Sequence, residues 1–208
     1  MRYSLLFKVS LLAVCAANAA ALDNSAVMAK LRGKYQGINT IKAAVTETMC
    51  SAATGTCKRF EGSADMKRPA KLRLDITKPD KQIVACDGAT LTLYVAKDKQ
   101  AYTFDMGKSD QALTLLNPLD GLLNGEVVKL DDGGDTYTIA LAVAKFKDYF
   151  KSITLTVDKK TLLITGIAAE DASGNNAEYE FTNIKLNVPV KDSRFTLQLP
   201  KGTKVTKQ

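Results

Sequence analysis

Apolar and polar residues alternate with a period of two along most of the chain after residue 40. Ile41, Ala43 and Val45 begin this pattern, which recurs in short segments separated by Gly, Pro, Asp and Lys residues. The pattern predicts about eleven strands, the last of them over residues 194–199. Short turns join antiparallel strands, and a sheet with so many strands has to curl. We therefore predict a strongly curved, antiparallel sheet.

Two segments follow a helical period instead. Near the start of the chain, Val27, Leu31 and Tyr35 are spaced as they would be on one face of a helix. Leucines recur near helical spacing in residues 109–125, although Pro118 limits any helix there. From the pattern alone we predict a mostly β fold with a few helices, in which a strongly curved antiparallel sheet curls and the helices cover its open mouth.

The first 21 residues have the composition of a secretory signal. Arg2 gives a basic start, residues 5–16 are largely apolar, and small residues follow. Lys8 interrupts the apolar stretch, which is shorter than the roughly 20 residues that span a bilayer, so cleavage is favoured over a membrane anchor. We predict that residues 1–21 are removed and that residues 22–208 form the single domain of an exported protein.

Cys15 leaves a second interpretation of this N-terminus open. Residues 12–15 (LAVC) are similar to a lipoprotein signal, in which the cysteine is acylated and anchors the mature protein. A small residue normally precedes such a cysteine, and Val14 is branched. Ordinary cleavage between Ala20 and Leu22 is therefore favoured, with the exact bond undecided.

The chain lacks histidine, and this removes the usual general base, the usual zinc ligand and every Ser-His-Asp arrangement. No glycine-rich phosphate loop is present. Paired carboxylates at Asp131-Asp132 and Glu170-Asp171 lie in predicted turns, where solvated charge explains them. The formal net charge is +7, but basic residues are scattered among acidic ones, which argues against nucleic-acid binding. We predict a binding protein without catalytic residues, metal or cofactor.

Three cysteines follow the predicted signal. Cys50 and Cys57 flank a turn-rich link between two alternating segments, so a hairpin brings them face to face. In an oxidising compartment we expect them to form a disulfide, which braces the hairpin locally. Cys86 is then left over, and we expect a buried, unreactive thiol.

Medium-sized aliphatic residues collect on one face of several consecutive predicted strands. These residues are Leu72, Leu74, Ile76, Val84, Leu91 and Leu93. Packing of two sheets would bury this face as core, whereas a half-closed barrel would leave part of it lining a cavity. Periodicity alone does not separate these two possibilities.

Four short segments in the central part of the chain form a recognisable series: residues 62–69 (GSADMKRP), 72–74 (LRL), 78–79 (KP) and 83–94 (IVACDGATLTLY). In their order and spacing these segments resemble the LolA family of lipoprotein carriers. Leu31, Tyr35-Gln36 and Ile38 are similar to its first helix, and residues 117–119 (NPL) to its mid-chain lid. Residues 187–195, 200–202 and Val205 are similar to its ending. The resemblance covers most of the predicted mature chain.

This resemblance implies an incomplete barrel with a helical lid over an apolar cavity that takes the acyl chains of lipoproteins. Arg68 matches a family arginine that hydrogen-bonds the lid backbone and holds the empty form closed. The six aliphatic residues named above are then the candidate cavity lining. Leu72 and Leu74 stand where the family usually carries large aromatics, and the chain has no tryptophan, so we expect a cavity of different shape.

The resemblance also implies a location and partners. We expect a monomer in the periplasm of a Gram-negative cell that receives lipoproteins from an inner-membrane ABC transporter and delivers them to an outer-membrane receptor. A receptor of similar fold, lipidated at Cys15, is the alternative. A periplasmic domain that senses lipoproteins is a third possibility, although such proteins usually carry a further domain.

Overall fold

The computed structural model describes residues 24–106, 121–144 and 147–207. These residues form one α-helix, α1 (Asn24–Gln36), short 3₁₀ helices and twelve strands. The strands are β1 (Thr40–Cys50), β2 (Cys57–Lys67), β3 (Lys71–Lys78), β4 (Gln82–Cys86), β5 (Thr90–Val95), β6 (Gln100–Asp105), β7 (Val127–Gly133), β8 (Thr136–Leu141), β9 (Phe150–Asp158), β10 (Ile164–Asp171), β11 (Asn176–Leu186) and β12 (Lys204–Lys207). The predicted signal at residues 1–21 lies outside the described residues.

All twelve strands belong to one open, curved sheet in the order β12-β6-β5-β4-β3-β2-β1-β11-β10-β9-β8-β7. Neighbouring strands are antiparallel, except that β12 pairs in parallel with β6. The sheet closes no barrel, because β7 and β12 lie at its two edges. The predicted mostly β fold with a strongly curved sheet is confirmed.

Helix α1 covers one face of the sheet, which we call the inner face. Leu31 and Tyr35 on α1 are buried in the same core as the strand residues of this face. The strand residues of this core are Ile41, Ala43, Val45, Ala64, Met66, Ile76, Ile139, Leu141, Ile153, Leu155, Val157, Ile164, Ile167, Ala169 and Phe181. The backbone N–H of Ile164 donates a 2.9 Å hydrogen bond to the Tyr35 hydroxyl. The helical stripe predicted near the start of the chain therefore faces the sheet.

The predicted last strand, over residues 194–199, is wrong. The chain forms a 3₁₀ helix at Asp192–Arg194 and then runs without strand pairing until β12. Phe195 is buried, and Leu197 and Leu199 pack against Ile83 on the face opposite α1, the outer face. Residues 195–199 alternate because every second side chain is buried against the sheet, although the backbone adds no strand to it.

Most of the predicted helical segment at residues 109–125 lies outside the described residues. Its described end forms a 3₁₀ helix at Leu122–Asn124. The side chain of Arg32 on α1 donates to the backbone carbonyl of Leu123 at 2.8 Å. No helix within the described ranges combines the length and apolar character needed to cross a membrane.

A cluster of charged side chains fastens the C-terminal segment to the outer face. Arg194 donates through Nε to Asp65 at 2.7 Å and through Nη2 to Asp75. Arg73 donates to the carboxylate of Asp75 and, at 3.0 Å, to the backbone carbonyl of Arg194. Because the Asp65 side chain is only 5 % exposed, this cluster needs its ion pairs to offset the loss of water.

Candidate functional site

The six predicted aliphatic residues share the inner face of β3, β4 and β5. In the first row, Leu72 pairs with Cys86, which pairs with Leu91. In the second, Leu74 pairs with Val84, which pairs with Leu93. The structure thus brings Leu72, Leu74, Ile76, Val84, Leu91 and Leu93 onto one apolar surface. Ile76 and Leu91 are buried and the other four are half-buried, whereas their contact with a ligand stays a prediction.

Strand β6 extends this surface with two aromatic residues that sequence reasoning did not select. Phe104 pairs with Leu91, and Tyr102 pairs with Leu93, so both lie on the inner face. Both are half-buried. The alternation in residues 100–106 contains the signal that identifies them, because the two aromatics are separated by one residue.

Arg68 lies at the turn between β2 and β3, and its guanidinium reaches the end of α1. Nη1 donates to the backbone carbonyls of Ile38 at 2.7 Å and of Tyr35 at 3.0 Å. The last carbonyls of a helix have no partner within the helix and carry partial negative charge, so a nearby cation stabilises them. Arg68 therefore joins this turn to the helix that covers the inner face. The mid-chain lid assigned by resemblance to residues 117–119 lies outside the described residues.

A cavity of about 720 Å³ opens at the end of the inner face where β1 and β2 are joined. Phe60, Phe150 and Tyr179 form an apolar lining, while Thr56 and Asn175 stand among the polar residues. Sequence reasoning missed this cavity, because its walls come from strands that are far apart along the chain.

The disulfide between Cys50 and Cys57 closes the β1–β2 hairpin beside this cavity. The two residues face each other in the register of the hairpin, with their Cα atoms 4.0 Å apart. Cys86 is a free, buried cysteine. Burial raises the pKa of its thiol, and the charge of Asp87 adds to this effect.

Glu47 and Tyr179 are direct cross-strand neighbours on the inner face, in the register of β1 and β11. Burial raises the pKa of Glu47, and the neighbouring Tyr179 hydroxyl opposes this only in part. Burial and the neighbouring Glu47 charge both raise the pKa of Tyr179. These two side chains are the most polar ones in a row of cross-strand neighbours that is otherwise apolar.

Three of the four carboxylates weighed in the sequence form ion pairs with lysines at the surface, and the fourth, Asp171, accepts hydrogen bonds from Ser173 and Asn175. Lys129 bonds Asp131 at 2.7 Å, Lys159 bonds Asp132, and Lys151 bonds Glu170 at 3.3 Å. Within the described part of the chain, no group of three or more His, Cys, Asp or Glu side chains is placed to hold a metal ion.

The family model for the outer membrane lipoprotein carrier protein LolA matches residues 36–198. The chain belongs to the LolA family. A carrier from Methylibium petroleiphilum is 30% identical over 95% of this chain and 94% of its own length. One from Chromohalobacter salexigens is 24% identical over 86% of each chain. Both are named outer-membrane lipoprotein carrier protein.

A solved structure shows the same fold at low sequence identity. An uncharacterized conserved protein from Thermus thermophilus superposes with a TM-score of 0.55 at 11% identity, over 89% of this chain and 100% of that chain. Membership of the LolA family confirms the resemblance on which the sequence prediction of a lipoprotein carrier rested. The family is one of carriers, not of enzymes, and it implies a periplasmic protein.

Proposed function

We propose that the mature chain, residues 22–208, is a soluble periplasmic carrier that holds the acyl chains of lipoproteins against its inner face. The observation that carries this proposal is the half-buried apolar surface formed by Leu72, Leu74, Val84 and Leu93. In a fully packed hydrophobic core these four side chains would be completely buried. A surface that α1 and the strands leave half-covered suits a ligand of long, flexible hydrocarbon.

The energetics of this ligand favour uptake and make release the difficult step. Each buried methylene contributes about 0.8 kcal/mol, so one acyl chain alone binds firmly. Release needs a cover that can move. Arg68 holds the end of α1 through carbonyl contacts at 2.7 and 3.0 Å, and we assign it the role of a latch for the empty form.

The partners follow from the same proposal. An inner-membrane ABC transporter that releases lipoproteins supplies the cargo, and an outer-membrane receptor accepts it. The chain acts as a monomer after removal of residues 1–21, and it uses neither cofactor nor metal.

Extraction of lipoproteins from inner-membrane vesicles tests the proposal. The mature protein, added to vesicles that carry the active transporter, should leave with lipoprotein in a soluble complex. Leu93→Asn should lower the yield, because it places an amide on the inner face. Thr92→Asn, one residue away on the outer face, is the matched control and should leave the yield unchanged. No extraction by the wild-type protein from competent vesicles would overturn the proposal.

The competing function is a lipid-anchored receptor of the same fold, favoured by Cys15 in residues 12–15. Mass spectrometry of the mature N-terminus separates the two. A free N-terminus at or near residue 22 supports the carrier, whereas an acylated Cys15 supports the receptor.

A further inference from the structure

The cavity beside the β1–β2 hairpin is separated by packed core from the surface to which we assign the cargo. Phe60 lines the cavity on β2. The next row of the inner face runs through Val45, Gly62 and Ile76. Val45 and Ile76 are only 3 % and 4 % exposed, so packed side chains stand between the cavity and the row of Leu74. The cavity is therefore a second concave site on the same face of the sheet.

The cavity also lies away from the C-terminal end of the helix that covers the inner face. The Tyr35 hydroxyl on α1 meets β10 at Ile164, whereas Asp171 at the other end of that strand lines the cavity. A strand rises about 3.3 Å per residue, which places these two ends of β10 about 23 Å apart. None of the described residues of α1 lines the cavity. A ligand that enters the cavity therefore does not have to displace α1.

Two hairpin tips form walls of the cavity and are held to each other. The Cys50–Cys57 disulfide closes the tip between β1 and β2. In this tip, the backbone N–H of Ala52 donates a 3.0 Å hydrogen bond to Oδ1 of Asn175 in the tip between β10 and β11. The Asp171 carboxylate accepts from the backbone and side-chain nitrogens of Asn175 at 2.9 and 2.8 Å, which fixes that amide. Because these bonds exist before a ligand arrives, binding needs little further ordering of the walls.

The interior of the cavity is apolar and aromatic. Phe60, Phe150 and Tyr179 line it and are half-buried, and Met49, also in the lining, is 47 % exposed. Hydrocarbon that replaces water on these side chains is favoured, and the flexible thioether of Met49 adapts to the shape of an apolar ligand. The volume of about 720 Å³ lies within the range of small-ligand sites, roughly 300–1,000 Å³. The lining therefore favours a ligand with a hydrocarbon chain.

The charges of the lining favour a ligand without charge. Among the described residues of the lining, Lys58 and Asp171 are charged. Asp171 is already occupied, because its carboxylate accepts hydrogen bonds from Ser173 and Asn175. Lys58 is exposed, so water screens its charge. The exposed Thr56 offers a hydroxyl to an uncharged polar group.

We propose that this cavity is a second ligand site, which binds a single hydrocarbon chain with an uncharged polar end, such as a fatty alcohol or a monoacylglycerol. The chain lies against Phe60, Phe150 and Tyr179, and the polar end faces the exposed rim around Thr56. The site is distinct from the inner-face surface of β3, β4 and β5. A free neutral lipid and one chain of a lipoprotein share this chemistry, and the experiment separates these two sources.

Methyl NMR of the mature protein with ¹³C-labelled methionine tests the site, because Met49 belongs to the lining. Decanol, a neutral single-chain amphiphile, is added up to its solubility limit. The Met49 methyl signal, assigned by its loss in Met49→Leu, should shift and saturate, and the titration gives the Kd. Met28 and Met66 are each 3 % exposed in the core, and their signals should stay in place as internal references.

A side chain that fills the cavity should weaken decanol binding. Ala177 lines the cavity, and Ala177→Phe should raise the Kd about tenfold, because the ring occupies the space of the ligand. If circular dichroism shows Ala177→Phe unfolded, Ala177→Leu fills less space and should raise the Kd about threefold. Ala168→Phe, on the outer face of the adjacent strand β10, is the matched control and should change the Kd less than about twofold. Decanoate and decylammonium should bind wild type at least about threefold more weakly than decanol, because a charged end holds its water more strongly.

Four results would overturn the site. The first is a Met49 shift that grows without saturation, which would mean non-specific contact at high decanol concentration. The second is a wild-type Kd in the folded filling variant. The third is loss of the Met49 shift in Leu93→Asn, which would show that decanol binds on β3–β5 and that Met49 senses it from a distance. The fourth is tighter binding of decanoate or decylammonium than of decanol.

A complex of the protein with lipoprotein separates the two sources of the chain, and this measurement rests on the proposed carrier function. If decanol still shifts the Met49 signal in the complex, the site is open beside the cargo and takes a free neutral lipid. If the cargo itself shifts the signal and decanol adds nothing, the site takes one chain of the lipoprotein. Both results support the site. Failure to extract lipoprotein would remove the carrier proposal alone, since the decanol titration uses the isolated protein.

Discussion

Arg194 fastens the C-terminal segment to the outer face, and its replacement by methionine tests what that contact contributes to stability. Methionine keeps an apolar stem and removes both ion pairs. Among the residues that the structure describes, Asp65, whose side chain is 5 % exposed, would keep Lys42 as its one cation, with Nζ 3.6 Å from its carboxylate. Breaking a buried ion pair costs about 3–5 kcal/mol. Because the Arg194 side chain is 36 % exposed, water screens part of the ion-pair interaction. We therefore expect Arg194→Met to lower the free energy of unfolding by about 2–3 kcal/mol.

Urea unfolding of the mature protein, followed by circular dichroism, measures this loss. In an Asp65→Asn background, the loss in free energy of unfolding caused by Arg194→Met should be about 1–2 kcal/mol smaller than in the wild-type background, because asparagine needs no counter-ion. Arg59→Met, which breaks an exposed pair with Glu61, is the control and should leave the urea midpoint unchanged. The reasoning is refuted if Arg194→Met behaves like this control or if the double variant shows no coupling.

The pH dependence gives an independent check. Burial raises the pKa of Asp75, but hydrogen bonds and charge from Arg73 and Arg194 outweigh burial and hold it below its usual value. A lowered carboxyl pKa stabilises the fold above the unfolded-state pKa, and this contribution disappears as the pH falls through the folded-state pKa. The difference in the free energy of unfolding between wild type and Arg194→Met should therefore stay level above about pH 5 and narrow as the pH falls from there toward about pH 2. A difference that stays constant over this whole range would contradict the assignment.

Three further outcomes are expected. Gly62→Ala would place a Cβ 2.1 Å from the Asp75 carbonyl oxygen and should cost more than about 2 kcal/mol in urea unfolding, whereas Gly37→Ala meets no atom within 4 Å and should not. Arg68→Leu should release the end of α1 and leave lipoprotein bound in a transfer assay, while Arg68→Lys should keep partial transfer. The Cys86 thiol should react with a disulfide reagent only after unfolding, because it is buried and its pKa is raised.

The sequence predicted the local elements of this fold with little help. The apolar stripe of Val27, Leu31 and Tyr35 is buried as one face of α1. Asp87-Gly88, a dipeptide typical of hairpin turns, joins β4 to β5, with Gly88 at a φ of +100° that a side chain would disfavour. Both signals are local, since they depend only on spacing within a few residues and on the freedom of glycine.

The same alternation did not distinguish a strand from a segment that is merely buried on one side. Phe195, Leu197 and Leu199 alternate, but they lie on the outer face, while the strand that pairs with β6 is the more polar β12. A period of two reports which side chains meet apolar surface. It does not report whether the backbone finds a sheet edge.

The candidate site also has one part that the local sequence pattern predicts and another part that it does not. Alternation by itself placed Leu74 and Leu93 on one face, because each strand exposes every second residue on one side. Only the tertiary structure decided that this face remains half-covered, and that Glu47 meets Tyr179 beside a cavity. Those contacts join β1 to β11, and no local pattern encodes a pairing between strands so far apart in the chain. The sequence therefore determined the apolar face, and the folded sheet decided where that face opens and where it becomes polar.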